Sequence, residues 1–120
     1  ETSYMQECAS EGFAIDGYYR DDKTSREILA FLEEDGCRWQ LVDKDGSCVD
    51  GQFKRTDDPN ILILKKENGE EFGTVHVAYI SRRRNQGQIY LIRNTKVTRF
   101  YLVSTDPAFT VGSGDVDADV

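Results

Sequence analysis

From Cys37 to Val103 the chain repeats one unit five times, a short apolar run and then a cluster of residues that turn the backbone, and ends on a sixth run. The runs occupy 37–42, 49–54, 61–65, 72–80, 88–93 and 97–103. Between them stand Asp43-Lys44-Asp45-Gly46, Thr56-Asp57-Asp58-Pro59-Asn60, Glu67-Asn68-Gly69, Arg82-Arg83-Arg84-Asn85-Gln86-Gly87 and Asn94-Thr95-Lys96. Each cluster holds residues that accept positive φ or bond their own backbone, and Asn68-Gly69 is the sharpest two-residue hairpin signal. A recurrence of about ten residues predicts an antiparallel meander. An earlier strand is expected over 13–20, where Phe13, Ile15 and Tyr19 are set around Gly17.

The sides of these strands differ. Cys37, Trp39 and Leu41 alternate with Arg38 and Gln40, and Val75, Val77 and Tyr79 alternate with Thr74, His76 and Ala78, which gives each strand one core face and one wet face. The runs 61–64, 89–92 and 100–103 are apolar on both faces, so a helix, the N-terminal segment or another chain is expected to cover their second side.

One segment carries two readings, and the fold depends on it. Thr24-Ser25-Arg26-Glu27 has the form of a capping box, Ile28, Leu29, Phe31 and Leu32 follow at helical spacing, and Gly36 stands where a C-terminal cap belongs. This predicts a helix over 24–35 packed on a mainly β (α+β) meander of six to seven strands. The competing reading pairs 28–33 with 37–42 through a turn at Asp35-Gly36, which makes eight strands in series, enough for an all-β closed barrel. With the helix, the order from Tyr18-Tyr19-Arg20 through Thr24-Ser25-Arg26-Glu27-Ile28-Leu29 to Trp39-Gln40-Leu41-Val42 resembles a ubiquitin-like, Ras-association type domain over 13–42. That resemblance implies binding of small GTPases through an edge strand, with Arg20, Lys23 and Arg26 as contacts. With the strand, the pattern Leu29, Phe31, Asp35-Gly36, Trp39, Leu41 is similar to lipocalin-like barrels, which hold small apolar ligands.

The chain begins with Glu1 and shows no targeting segment after it, which suggests a processed product or a domain cut from something larger. The division into a β domain over 1–105 and an acidic Gly/Ser/Asp extension over 106–120 follows from the change in composition beyond Ser104, where Phe109 and Val111 are candidates to dock. No apolar run reaches the roughly 20 residues needed to cross a bilayer. Cys8, Cys37 and Cys48 are an odd number, and a hairpin register that sets Cys48 against Leu41 and Cys37 against Gln52 keeps the last two from bridging. Reduced, buried cysteines and an intracellular setting are the expectation, against a bridge from Cys8 to one of the others.

Charge is unevenly placed. The net of −7 divides into −8 over residues 1–59, where 15 acids face 7 bases, +5 over 60–105, where 3 acids face 8 bases, and −4 over 106–120. Solvated faces of opposite sign explain this simply, whereas a basic site for an acidic partner explains it functionally. Arg82, Arg83 and Arg84 form the most pointed feature, three guanidiniums on one hairpin tip that suit phosphate, nucleic acid or a protein carboxylate cluster. Tyr79, Tyr90 and Phe100 interleave with nearby bases as on a nucleic-acid surface, yet a net charge of −7 argues against nucleic acid as partner.

Little else in the chain does chemistry at neutral pH. His76, the only histidine, falls on the wet phase of its strand, so it reads as a surface residue and not a catalytic base. No cysteine pair has zinc-ligand spacing. The acidic stretch 43–50 has the look of a calcium loop, but with Gly46 at the sixth position Leu41 and Gln52 occupy places that need acids. No catalytic residue, metal or cofactor is therefore assigned. The expected function is a non-enzymatic protein-interaction module that uses a sheet edge and a basic tip, with Arg82, Arg83, Arg84, Arg20 and Lys23 at the interface. The alternative is a small barrel holding an apolar ligand among Trp39, Leu41, Phe53, Val75, Val77 and Tyr79.

Overall fold

The computed structural model describes residues 14–33 and 36–109. They form eight antiparallel strands: β1 (Gly17–Asp21), β2 (Glu27–Leu32), β3 (Arg38–Asp43), β4 (Cys48–Arg55), β5 (Ile61–Lys66), β6 (Glu71–Ser81), β7 (Gln86–Arg93) and β8 (Lys96–Ser104). Each strand pairs with the next in sequence, and β8 returns to β1, with Leu102 opposite Tyr19, so the sheet is a closed barrel. The mainly β class and the eight-stranded barrel alternative both hold.

The helix expected over 24–35 is not formed. Thr24 caps a turn instead: its hydroxyl donates to the Asp21 carboxylate and accepts the Arg26 N–H at 3.1 Å. Ser25 then takes φ +60°, which a helix start cannot accommodate. What looked like helical spacing is a strand covered on both sides. Leu29 and Phe31 point into the barrel, while Ile28 and Ala30 are buried outside it beside Tyr18. The likeness to a ubiquitin-like domain fails with the helix on which it depended.

The interior is filled by side chains from all eight strands, as the width of an eight-stranded barrel allows. Phe31 meets Tyr19 and Phe53 edge to face at 5.8 and 5.5 Å between ring centroids, and Trp39 lies 4.8 Å from Phe72. The Trp39 indole N–H donates to the Lys65 carbonyl at 2.9 Å. Outside, the second sides of the doubly apolar runs are half-buried at Ile61, Ile63, Tyr90, Ile92, Tyr101 and Val103. The chain's own C-terminal segment adds to this outer layer: Phe109 packs on the cluster of Tyr18, Ile28 and Ala30, which Val103 also covers, with 4.8 Å between the Phe109 and Tyr18 ring centroids. Phe109→Ala is expected to cost about 1 kcal/mol, lowering Tm by about 4–8 °C in a thermal melt; an unchanged Tm would show that this segment adds nothing to the barrel.

The alternation of strand direction sorts the turns. Those after β1, β3, β5 and β7 gather at one end, and those after β2, β4 and β6 gather at the other with residues 14–16 and 105–109. The second end is closed. Ile15, fully buried, donates its N–H to Glu33 Oε2 at 2.6 Å and accepts the Tyr19 hydroxyl at 2.8 Å. Arg55, itself buried, donates to the same Glu33 oxygen at 3.1 Å, and Arg82 donates to the Asp16 carbonyl at 2.6 Å. Burial holds the Tyr19 phenol protonated far above its ordinary range.

Two sequence expectations about cysteine are corrected. The β3–β4 register places Cys48 opposite Val42 and Arg38 opposite Gln52, a slip of one residue from the expected pairing. Cys48 is free and exposed, but Cys37 is disulfide-bonded to a residue outside the described ones, so the three are not all reduced. The intracellular expectation loses its basis with that bond. Cys8 and Val111, like Phe13, lie outside the described residues. Among the described residues no helix is long and apolar enough to cross a membrane.

Candidate functional site

The basic tip is the β6–β7 turn, closed by backbone bonds from Arg84 to Ser81 and from Asn85 to Arg82, with Asn85 in the left-handed region at φ +56°. Arg82 is committed to the Asp16 carbonyl, so it braces the closed end. Arg83 and Arg84 are exposed and make no side-chain hydrogen bond or ion pair with any described residue. Just before them, a β-bulge between Val77 and Tyr79 resets the side alternation of β6. Val77 faces the core, and Tyr79, expected there too, is turned outward and is 48% exposed.

The other expected interface residues lie elsewhere. Arg20 is half-buried on the outside of β1 between Ile28 and Tyr101, and Lys23 is exposed on the β1–β2 turn at the opposite end of the barrel. Arg20 and Lys23 therefore do not share a surface with the tip. Closure also uses both edges of every strand, which leaves the expected sheet edge with no free ladder to offer. The residues expected to line an apolar ligand site, Trp39, Leu41, Phe53, Val75 and Val77, are core residues packed on one another, while Tyr79 is outside. His76 is exposed, in phase with its expected wet face.

At the open end lies a feature that the sequence reading missed. Asp21, Glu27 and Asp43 each continue the inward row of their strand by one step, beyond Tyr19, Leu29 and Leu41. Glu27 is paired directly with Asp43, and Asp21 follows the Arg20–Ile28 pair, so three carboxylates stand level on β1, β2 and β3. On the inward row of β7 and β8, Arg93 and Lys96 form a cross-strand pair. The Arg93 guanidinium sits 4.1 Å above the Phe72 ring. The mouth thus has an acidic wall and a basic wall, and Asp21, Glu27, Asp43 and Lys96, though not Arg93, line a cavity of about 730 Å³.

Most of these charges are already engaged. Asp21 accepts the Lys23 and Thr24 N–H groups, Asp43 pairs with Arg26 at 2.9 Å, and Asp22 pairs with Arg99 at 2.8 Å. Glu27 and Lys96 have no hydrogen-bond or ion-pair partner among the described residues. Burial, reinforced by the Asp21 and Asp43 charges and opposed by Arg93 and Lys96, lifts the Glu27 carboxyl above the usual carboxylate range. Among the described residues no group of three or more acids, histidines or cysteines is arranged to hold a metal ion. A phase rule would have found this mouth: a charge placed one inward step beyond a core residue marks a barrel rim.

Fold and site together define a closed eight-stranded meander barrel with a packed interior, one plugged end and one charged open end. The chain matches no protein-family model, no curated protein and no solved structure.

Proposed function

We propose that this barrel is a non-enzymatic module that binds an acidic protein partner at the β6–β7 tip. The observation that carries the reading is the pair of exposed, unengaged guanidiniums of Arg83 and Arg84 beside the outward-turned Tyr79. Arg and Tyr are the residue types that dominate binding hot spots. Charge supports the same partner: residues 72–105, which make up most of β6 and all of β7 and β8, contain no Asp or Glu. An acidic surface meets no like charge there. The second reading, an apolar ligand within the barrel, has no specific observation in its favour.

Capture from the native source with the wild-type protein, followed by titration of the purified captured protein, tests this. Arg83→Glu/Arg84→Glu is expected to weaken binding at least about tenfold, and added salt is expected to weaken wild-type binding. Lys44→Glu, at the opposite end, serves as the control and is expected to bind as the wild type does. Equal affinity of the tip variant and the wild type, or no protein captured by the wild type, would overturn the proposal.

A further inference from the structure

The open end is independent of the tip, being formed by the other set of turns, and the geometry points to a second site there: the mouth binds a small zwitterion, its ammonium on Glu27 and its carboxylate on Lys96. Three observations lead to it.

The first is spatial. The cavity of about 730 Å³ is lined by Glu27 and Asp43 on one side and by Lys96 and Thr98 on the other, with Val97 as apolar surface. That volume falls within the range of small-molecule sites. The second is the state of the charges. Other opposite charges around this opening are paired, as in Arg26–Asp43 and Arg99–Asp22. Glu27 and Lys96 both line the cavity yet make no ion pair with each other. They are opposite charges held apart across a cavity, a gap that a molecule carrying both signs closes.

The third is the arrangement on the acidic wall. Carboxylates directly opposite each other across a strand pair are unfavourable, and Glu27 faces Asp43 in that way with Asp21 on its other side. Asp21 and Asp43 are relieved by donors from the chain itself. Glu27 accepts no hydrogen bond from a described residue, and only the charges of Arg93 and Lys96 offset it, so its carboxylate keeps acceptor capacity for a donor from outside. A primary ammonium supplies three N–H donors to such a group. A metal ion does not fit the wall, since among the described residues these carboxylates are not grouped so as to hold one. A simple anion on Lys96 would leave Glu27 unrelieved, and a simple cation on Glu27 would leave Lys96 unpaired, so the two residues together select a ligand with both charges.

The test uses glycine, β-alanine and γ-aminobutyrate, which space the two charges at increasing distance, with butylammonium and butyrate as single-charge controls. Binding is followed by chemical-shift changes of backbone amides. At least one of the three zwitterions is expected to bind, about tenfold or more tighter than either control, with shifts at the open end. Glu27→Gln and Lys96→Met are each expected to weaken it by a similar factor while the thermal melt shows both folded. No binding by any of the three, or binding that both substitutions leave unchanged, overturns the site. Lys96 is exposed, so its substitution keeps the test decisive even if Glu27→Gln alters the fold. Because Arg83→Glu/Arg84→Glu lies at the other end, it leaves zwitterion binding intact whatever becomes of the protein partner.

Discussion

Gly51→Ala is expected to cost about 3 kcal/mol or more, a fall in Tm of at least about 12 °C, although it adds only one methyl group. Gly51 lies in β4 between Trp39 of β3 and Lys66 of β5. A Cβ placed there would stand 1.8 Å from the Lys65 carbonyl oxygen and 2.8 Å from the Lys66 Cα, both of them backbone atoms. Backbone cannot step aside as a flexible side chain can. The same Lys65 carbonyl accepts the Trp39 indole N–H, so moving β5 outward to admit the methyl also breaks that bond and loosens the largest side chain of the core. A contrast sets the scale. At Gly69 a Cβ meets nothing within 4 Å, and its φ of +91° alone opposes substitution, for about 1 kcal/mol. Thermal unfolding of the two variants side by side measures the difference. A Gly51→Ala protein that melts with the wild type would mean that β4 and β5 do not approach as described.

Glu33→Ala is expected to have the second large effect, about 3 kcal/mol. Glu33 receives both the Ile15 N–H and the Arg55 guanidinium, and the Arg55 side chain is only 3% exposed. Removing the carboxylate takes one partner from a guanidinium that little water can reach, and it also removes the acceptor of the Ile15 N–H at the closed end. The pair itself is another matter. Replacing both members with apolar residues removes the charge along with its partner, and such exchanges are often close to neutral. Glu33→Leu/Arg55→Met is therefore expected to recover most of the loss. Chemical denaturation reports both results, and a double variant as unstable as Glu33→Ala would show that Arg55 contributes by more than its charge pairing.

How far the fold was legible depended on which physical signal each part carries. The turns were plain because Asn68-Gly69 and the Asp45-Gly46 pair advertise unusual backbone angles, and both glycines have positive φ. Single-faced strands such as β3 were plain because burial there alternates. β2 was ambiguous because burial does not alternate: four consecutive residues, from Ile28 to Phe31, are covered by two different layers, and only tertiary structure distinguishes that from a helix. Tyr79 was misassigned because a bulge shifts phase without leaving a mark in the sequence.

The site was less legible than the fold. Arg82, Arg83 and Arg84 stand out as a run, but their fates differ: one braces the closed end and two are exposed. The charged mouth was invisible for a different reason. Its members come from positions 21, 27, 43, 93 and 96, and only the closure of β8 on β1 brings the first and last of these around one opening.

Seven of the eight strand pairings join neighbours in sequence, and one, β1 with β8, joins the two ends of the described chain. The barrel is thus a row of hairpins fastened by a single clasp. Each hairpin closes a short loop at small entropic expense, whereas the clasp must gather more than eighty residues before it gains anything. That seam is expected to form late and to set the pace of folding. It is also where Ile15 enters the core and Phe109 covers the outer side of Tyr18, so the segments that flank the barrel are expected to come together last.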